Sequence, residues 1–341
     1  MSITARNLTK RFGALAAVDD VSFDIPQNAF FAIVGASGCG KSTLLRLIAG
    51  LETPDSGSLA LHGAQVAGPE VFLPPEDRAV GVVFQSYALW PHLTVEGNVA
   101  FPYEARGLSR EAARSKAAAH LETVALTAMK DRRPEALSGG QRQRVALARC
   151  LAGEADTILM DEPLANLDPH LRSEMETELK AFHRRSGVTT LYITHDQREA
   201  MALADIMAVM DAGRFLQIGS PQEIYDQPAT ATVARFIGRG TVVPAILRAG
   251  HVQIGHQNVA PRRPPDRENG MAQAFLRPRD IGTGGHGVPA VLTSVYYRGG
   301  VWEATAAAEG IDTPLMLDLD QPATVGEGLW LTFKGCWLLP G

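Results

Sequence analysis

The chain has 341 residues, of which 45% are hydrophobic, and its 32 Lys and Arg stand against 37 Asp and Glu, a net charge of −5. This balance is typical of a soluble globular protein with room for two domains, and it argues against nucleic-acid binding, which leaves a basic footprint. No apolar run of about 18 residues predicts a membrane span, no signal peptide opens the chain, and the three cysteines form no zinc-type pair. We therefore expect a cytoplasmic protein without disulfides.

The first element with a functional signal is an apolar strand over 29–34 that leads into a glycine-rich loop. The loop reads GASGCGKST and precedes an amphipathic helix, which fits the phosphate-binding pattern G-x-x-x-x-G-K-[ST] in its strand, loop and helix context. Backbone N–H groups of such a loop surround phosphates, Lys41 adds a charge near the outer phosphates, and Ser42 offers a hydroxyl to Mg²⁺. The predicted nucleotide contacts are Gly35, Ser37, Gly38, Cys39, Gly40, Lys41, Ser42 and Thr43.

Polar side chains also follow three further apolar runs. Gln85 and His195 each stand directly after such a run, while Asp161 and Glu162 end another. A lone Gln or His at a strand end is more often only a surface residue. Because ligands of open α/β sheets bind at the carboxyl ends of strands, we expect these four residues to lie together beside Lys41.

An apolar and aromatic run, Ser86–His92, follows Gln85. It can contribute to a core, or it can stay exposed as a groove for a helix of a partner protein. Residues 109–129, rich in Ala and charge, predict a helix of the same helical subdomain, which we place over 86–153.

A second glycine-rich turn lies at Ser138–Gln141, where the spacing of Ser138 and Gln141 predicts a capping box. The helix that follows shows Val145, Ala148 and Leu151 as its apolar face. A capped N-terminus with two glycines exposes backbone N–H groups to an anion. The alternative is an ordinary glycine loop before a basic amphipathic helix.

Beyond Gly238 the composition changes to short β-rich runs separated by Gly and Pro. This pattern predicts a small β-barrel over 239–341.

The motifs described above, and their order along the chain, resemble those of the ATP-binding subunits of ABC transporters. The resemblance implies an α/β P-loop NTPase over 1–238, with a RecA-like core, an antiparallel β subdomain and a helical subdomain, followed by an all-β, OB-like barrel similar to the regulatory TOBE domain of importer ATPases. The matching motifs are the Walker A loop Gly35–Thr43, the Q-loop Gln85, the signature Leu137–Gln141, the Walker B strand 157–162, the D-loop Leu164–Asp168 and the switch histidine His195.

The resemblance also implies ATP hydrolysis with Mg²⁺. Phe12 is expected to stack on adenine with Val18 nearby. The implied catalytic residues are Gln85, Glu162 and His195, and the implied Mg²⁺ site is Ser42, Gln85 and Asp161. Because two subunits of this family face head to tail, the residues implied to act on the ATP of the opposite subunit are Ser138, Gly139, Gly140, Gln141 and Asp168.

Two positions depart from the family pattern: Ala165 stands where Ser is common, and Arg279 replaces an acid in an Arg-Pro-Glu-Asp-Ile type element. Asp168 also suits a helix N-cap, and Asp196 and Glu199 have the spacing of a capping box.

The partners implied are a second copy of the chain, two membrane-spanning permease subunits that dock near Tyr87–His92, and, indirectly, a periplasmic or extracellular binding protein. This places the chain at the cytoplasmic face of a membrane. The solute is iron, a polyamine, a phosphonate, a sugar or an anion, and we favour the first three. The alternative is a soluble ABC ATPase that acts on ribosomes or DNA; the single Walker A loop and the short stretch over 44–136 argue against it.

Overall fold

The computed structural model describes residues 1–165, 167–265 and 267–340, which form two compact units, Met1–Pro221 and Gln222–Gly341. The boundary between the units therefore falls before the residue 238 at which the composition changes. The domain and subdomain limits stay predictions. No helix in the described ranges is both long enough and apolar enough to cross a membrane.

Two sheets build the first unit. An antiparallel sheet of four strands has the order β2-β1-β4-β5, and a six-stranded sheet has the order β10-β9-β3-β8-β7-β6. The strands are β1 (Ile3–Phe12), β2 (Leu15–Ile25), β3 (Phe30–Val34), β4 (Ser56–Leu61), β5 (Ala64–Ala67), β6 (Val80–Val83), β7 (Thr157–Asp161), β8 (Thr189–Thr194), β9 (Ile206–Asp211) and β10 (Arg214–Gly219).

In the six-stranded sheet, β6, β7, β8, β3 and β9 run parallel and β10 pairs antiparallel with β9 at the edge. Strands β3 and β8 are buried at every residue, as expected for the centre of a parallel sheet that is covered on both faces. This agrees with the predicted α/β core.

The helices are α1 (Lys41–Ala49), α2 (Val95–Ala105), α3 (Arg110–Thr123), α4 (Gly139–Ala152), α5 (Pro169–Ser186), α6 (Gln197–Leu203), α7 (Pro221–Asp226) and α8 (Ala231–Phe236). Short 3₁₀ turns occupy Pro75–Asp77, Thr127–Met129, Pro134–Ala136 and Pro278–Asp280.

The helix predicted over 109–129 is shorter than expected. Ser109 caps α3 by accepting a hydrogen bond from the backbone of Ala112, but the helix ends at Thr123. Ala125 has a φ of +55°, in the left-handed region that breaks a right-handed helix.

A buried arginine joins the end of α1 to β5 and to the segment that follows β5. The Arg78 guanidinium donates to the carbonyl oxygens of Leu47 (2.7 Å) and Ile48 (3.0 Å) at the end of α1. It also donates to Val66 and Leu73, at 3.3 and 2.8 Å. Its charge lies at the negative end of the α1 dipole, which is favourable. Burial lowers the pKa of Arg78, but the carbonyl groups replace the lost water.

The second unit contains two five-stranded antiparallel sheets, with the orders β13-β12-β11-β14-β20 and β15-β19-β16-β17-β18. Apolar residues of both sheets, such as Val243 and Leu317, form one shared core, which agrees with the predicted barrel. The strands are β11 (Thr241–Arg248), β12 (His251–Ile254), β13 (Gln257–Val259), β14 (Gly270–Leu276), β15 (Ile281–Gly284), β16 (Val288–Tyr297), β17 (Trp302–Ala308), β18 (Ile311–Leu319), β19 (Gly328–Phe333) and β20 (Trp337–Leu338).

The element Arg277–Asp280 connects α7 to this barrel. Arg277 lies between two rings, with its guanidinium carbon 3.8 Å from the Tyr225 centroid and 4.5 Å from that of Phe275. Its Nη2 donates to the Tyr225 carbonyl at 2.6 Å, and burial lowers the pKa of Arg277 to about 10. Arg279, the departure from the family pattern, pairs with Asp226 of α7. The substituted residue thus has an ionic partner of its own.

Candidate functional site

The polar residues predicted at strand ends do come together. Strands β3, β8, β7 and β6 are consecutive neighbours, and their last residues are in register: Val34 pairs with Thr194, and Ile193 pairs with Asp161. The residues that follow these strands therefore share one edge of the sheet, which carries the glycine-rich loop, Asp161, Glu162, His195 and Gln85.

The glycine-rich loop has the backbone that its sequence predicts. Gly38 and Gly40 have φ angles of +81° and +108°, which favour glycine. A Cβ on Gly40 would overlap the carbonyl oxygen of Ala17, and a Cβ on Gly35 would overlap that of Met210. The chain therefore approaches its own backbone so closely that only glycine fits at these two positions.

Lys41 begins α1 and is buried against the loop. Its Nζ donates to the carbonyl oxygens of Gly35 at 2.8 Å and Ala36 at 3.0 Å, and lies 3.7 Å from the Cys39 Sγ. Ala36, Ser37 and Gly38 are exposed at the crest of the loop. The ammonium group is thus held directly beneath backbone that can surround an anion.

Ser42 and Asp161 form an oxygen pair at the next position. The Ser42 hydroxyl donates to Asp161 Oδ1 at 2.9 Å. Burial raises the pKa of the Asp161 carboxyl, while the hydrogen bond from Ser42 opposes the rise and the neighbouring Glu162 adds to it. A hydroxyl beside a partly buried carboxylate is the hard-oxygen donor set that Mg²⁺ prefers, so these two residues fit the predicted metal.

Glu162 and His195 are in direct contact. Glu162 Oε2 lies 3.1 Å from His195 Nδ1, and the backbone N–H of Glu162 donates to Ile193 at 3.0 Å. Glu162 has a φ of +45°, a strained value for a side chain with a Cβ, which turns it away from the strand direction of Asp161. The His195 side chain is 54% exposed, so the pair faces open space.

The remaining residues predicted on this side differ in exposure. Gln85 is exposed just beyond β6. Phe12 is 49% exposed at the end of β1, with the Lys10 ammonium 5.3 Å from its ring centroid. Val18 is fully buried in the core, so between Phe12 and Val18 it is Phe12 that presents a surface.

The capping box predicted at the signature turn is confirmed. The Ser138 N–H donates to Gln141 Oε1 at 3.0 Å, and the Gln141 N–H donates to Ser138 Oγ at 3.3 Å. The Ser138 hydroxyl keeps its own proton for a further acceptor. On the predicted face, Val145 and Ala148 are buried and Leu151 is only half-buried. Gln143 and Leu147 are buried as well, so the buried surface of the helix differs from the predicted one.

The signature glycines also pack within the chain. A Cβ on Gly139 would lie 2.6 Å from Leu167 Cδ2, and one on Gly140 would lie 2.6 Å from Met175 Sδ. Their lack of a side chain therefore lets the turn sit closely on the D-loop and α5.

The D-loop ends in the predicted cap. Asp168 Oδ1 accepts from the backbone of His170 and Leu171 at 3.1 and 3.0 Å, and Pro169 is the first residue of α5. Ala165 donates its N–H to the Glu162 carbonyl at 3.2 Å. Asn166 of this loop lies outside the described residues.

The capping box predicted for Asp196 and Glu199 is wrong, although Asp196 is the N-cap of α6. Asp196 caps α6 by accepting from the Arg198 N–H at 2.8 Å. Glu199 is buried and accepts hydrogen bonds from Tyr192 and Thr194 instead. These two hydroxyl groups of β8 donate to the buried carboxylate in place of the Asp196 N–H that a capping box would use.

The aromatic run after Gln85 is divided between core and surface. Tyr87 is buried and its hydroxyl donates to the Pro163 carbonyl at 3.2 Å, while Pro91 and His92 are exposed. Arg149 of α4 donates to Ala88 at 2.7 Å and stacks on Trp90. Spacing alone did not reveal Arg149, because its acceptors are backbone carbonyls.

Comparison with known proteins identifies the family in which this set of site residues occurs. A family model described as ABC transporter matches residues 18–165. Over 348 aligned residues the chain is 38% identical to an Fe(3+) ions import ATP-binding protein of Agrobacterium fabrum, a match that covers 98% of this chain and 96% of the relative. The chain belongs to the ABC transporter family. It is an import-type ATP-binding subunit that hydrolyses ATP.

Two further matches describe the relationship. A trehalose/maltose import ATP-binding protein of Thermococcus litoralis is 49% identical over 67% of this chain, and the match spans 62% of that relative, less than two thirds of its length. A solved dimeric ATP-binding cassette in a post-hydrolysis state with ADP and Pi is 30% identical, with a TM-score of 0.56, over 64% of this chain and 98% of the solved one. The chain is therefore similar to importer subunits with different solutes.

Proposed function

We propose that the loop at Gly35–Thr43 binds the phosphates of ATP and that Phe12 stacks on its base. The observation that carries this proposal is the shared strand edge, where the Ser42 to Asp161 bond and the Glu162 to His195 contact lie at the ends of neighbouring parallel strands. The half-exposed ring of Phe12 offers a π-face to adenine.

Ser42 and Asp161 would hold Mg²⁺, with Gln85 contributing from the end of β6. When bound, the ion neutralises charge on the phosphate oxygens and helps to orient them. Lys41 stabilises the outer phosphates from beneath the loop.

Glu162 polarises the attacking water, and His195 orients Glu162 and the terminal phosphate. General-base help of this kind contributes about 10²- to 10⁴-fold in rate. The strained backbone at Glu162 supports the assignment, because strain of this kind clusters at functional sites. The contact with His195 limits the freedom of the carboxylate before ATP arrives.

The signature turn at Ser138–Gln141 binds the ATP of a second copy of the chain, with Asp168 beside it. In this arrangement each ATP lies between the Walker A loop of one subunit and the signature turn of the other. Head-to-tail closure of a homodimer then completes two equivalent sites.

Permease subunits dock on the exposed part of Tyr87–His92, at the cytoplasmic face of the membrane. Tyr87 supports this proposal because its hydroxyl reaches the carbonyl of Pro163, the residue directly after Glu162. A change at the docking surface therefore has a short path to the catalytic carboxylate.

The solute belongs to the iron, polyamine or phosphonate group. Support comes from the iron-importer relative, which matches almost the whole of this chain. The test is affinity purification of the chain from native membranes, followed by identification of the permease and binding protein that accompany it. We expect two membrane subunits and a binding protein that takes one of these solutes. Recovery of the chain without any membrane subunit would contradict the proposal.

A further inference from the structure

One arginine links the D-loop with the short segment His195–Asp196, which connects β8 to α6. Arg172 lies in the first turn of α5 and donates from Nη2 to the carbonyl oxygen of Leu167 at 3.1 Å. Its Nη1 lies 3.5 Å from Asp196 Oδ2, and its Nε lies 3.6 Å from Glu199 Oε1. A single planar cation therefore contacts the backbone of the D-loop, the carboxylate of Asp196 next to His195, and the carboxylate of Glu199 in α6.

Glu199 passes this link on to the backbone around His195. The residue is 3% exposed, and its Oε2 accepts from the hydroxyls of Tyr192 at 2.8 Å and Thr194 at 2.7 Å. The Thr194 oxygen in turn accepts the N–H of Asp196 at 2.9 Å. The residues on both sides of His195 are thus held by one network of hydrogen bonds.

The other end of the link reaches the signature turn. Leu167, whose carbonyl binds Arg172, packs so closely on Gly139 that a Cβ there would lie 2.6 Å from it. The signature turn, for which we propose contact with the opposite subunit, is therefore connected through Leu167 and Arg172 to the segment that carries His195.

We propose that Arg172 and Glu199 are positioning residues for ATP hydrolysis. They hold His195 against Glu162 and make that geometry depend on the D-loop, so that arrival of the second subunit's nucleotide at the signature turn is transmitted to the subunit's own site. This inference rests on the role proposed for His195.

A purely structural role for the same residues makes a different prediction. A buried carboxylate with a single cationic partner stabilises the fold only if its hydrogen bonds are complete, and losing them destabilises the whole unit. In that case substitution lowers thermal stability and ATP affinity together, without a selective loss of turnover. The positioning role instead lowers kcat and leaves KM and ATP affinity nearly unchanged.

The test measures kcat, KM, the Hill coefficient for ATP, nucleotide affinity and Tm for the full chain carrying Arg172→Ala or Glu199→Gln. Glu199→Gln keeps the size of the side chain and removes its charge. Arg184→Ala, an exposed arginine on the same helix, is the matched control. We expect kcat to fall about 10- to 100-fold in both variants, as for a displaced catalytic group, with ATP affinity within about threefold and a lower Hill coefficient.

The double variant Arg172→Ala/Glu199→Gln is expected to be no slower than the slower single variant, because both changes break the same link. Wild-type kcat in either single variant, or equal losses of kcat and ATP affinity, would overturn the inference. His195→Ala separates the two proposals. If that variant is inactive while Arg172→Ala and Glu199→Gln turn over normally, the inference alone fails; if it retains full turnover, the proposed role of His195 fails as well.

Discussion

The strand edge of the first unit and the buried Arg277 of the second unit use charged residues in opposite ways. At the strand edge, Ser42 bonds to Asp161, and Glu162 contacts the exposed side chain of His195, so these polar atoms can meet a ligand. In the second unit, Arg277 is 1% exposed and bonded to the carbonyls of its own chain. The exposed Glu162 and His195 pair is open to a ligand, whereas the guanidinium of Arg277, enclosed by carbonyls and rings, stabilises the second unit.

Glu162 carries the accessible charge at the strand edge, and its substitution should reduce activity most. Glu162→Gln should lower ATP turnover about 10²- to 10⁴-fold, because the amide cannot take a proton from water, while ATP binding persists and the bound dimer accumulates. Steady-state ATPase assays and gel filtration with ATP measure both effects. Glu154→Gln, at an exposed surface ion pair, is the control and should behave as wild type. Unchanged turnover in Glu162→Gln would remove Glu162 from the mechanism.

Ser138→Arg asks whether the signature turn belongs to a site that one subunit lacks. The new side chain fills the space in front of the helix N-terminus, so we expect turnover to fall by about 10²-fold or more while ATP binding to the single chain stays within about twofold. The control is Ser109→Arg, since Ser109 also caps a helix. Loss of ATP binding in Ser138→Arg itself would place this turn in the subunit's own nucleotide site.

Arg277→Met tests the enclosed side. Removal of the guanidinium leaves the buried carbonyl of Ile237 and the partly buried carbonyls of Arg239 and Tyr225 without this donor, and we expect the second unit to lose about 3 kcal/mol in urea unfolding. ATPase activity should stay close to wild type. Arg279→Ala removes only a half-exposed ion pair and should cost less than about 1 kcal/mol. If Arg277→Met lost ATPase activity without losing stability, Arg277 would have a functional role and not a structural one.

The smallest expected effect is at Phe12. Phe12→Ala removes the π-face and should weaken ATP binding about tenfold, whereas Phe12→Tyr keeps the ring and should bind ATP as wild type does. Titration with a fluorescent ATP analogue gives both affinities. Equal binding by Phe12→Ala and wild type would place the base elsewhere.

The residues at the strand edge could be predicted because their chemistry is local. The loop at Gly35–Thr43 and the pair Asp161 and Glu162 are continuous in sequence, and parallel strands bring their ends together by geometry. The capping box at Ser138 is local too and is confirmed.

The residues that the sequence did not reveal have distant or backbone partners. The partners of Arg78 and Arg277 are carbonyl oxygens, which every residue carries, so no pattern of side chains predicts these contacts. Glu199 has the spacing of a cap, but the hydroxyls of Tyr192 and Thr194 on β8 bind it instead. Spacing along the chain does not predict the hydrogen-bond partner of a buried group when the fold brings other partners close to it.

We propose that each ATP site is shared between two copies of the chain, and a cross-link between the two copies tests this. One copy carries Ser37→Cys at the exposed crest of the Walker A loop, and the other carries Ser138→Cys; both carry Glu162→Gln to retain ATP, and the three native cysteines are buried. A disulfide requires the two Cα atoms to lie within about 7 Å. We predict an ATP-dependent disulfide between two 36.5-kDa chains, absent when Ser109→Cys replaces Ser138→Cys. No disulfide with ATP, or the same yield from the Ser109→Cys pair, would contradict the shared site.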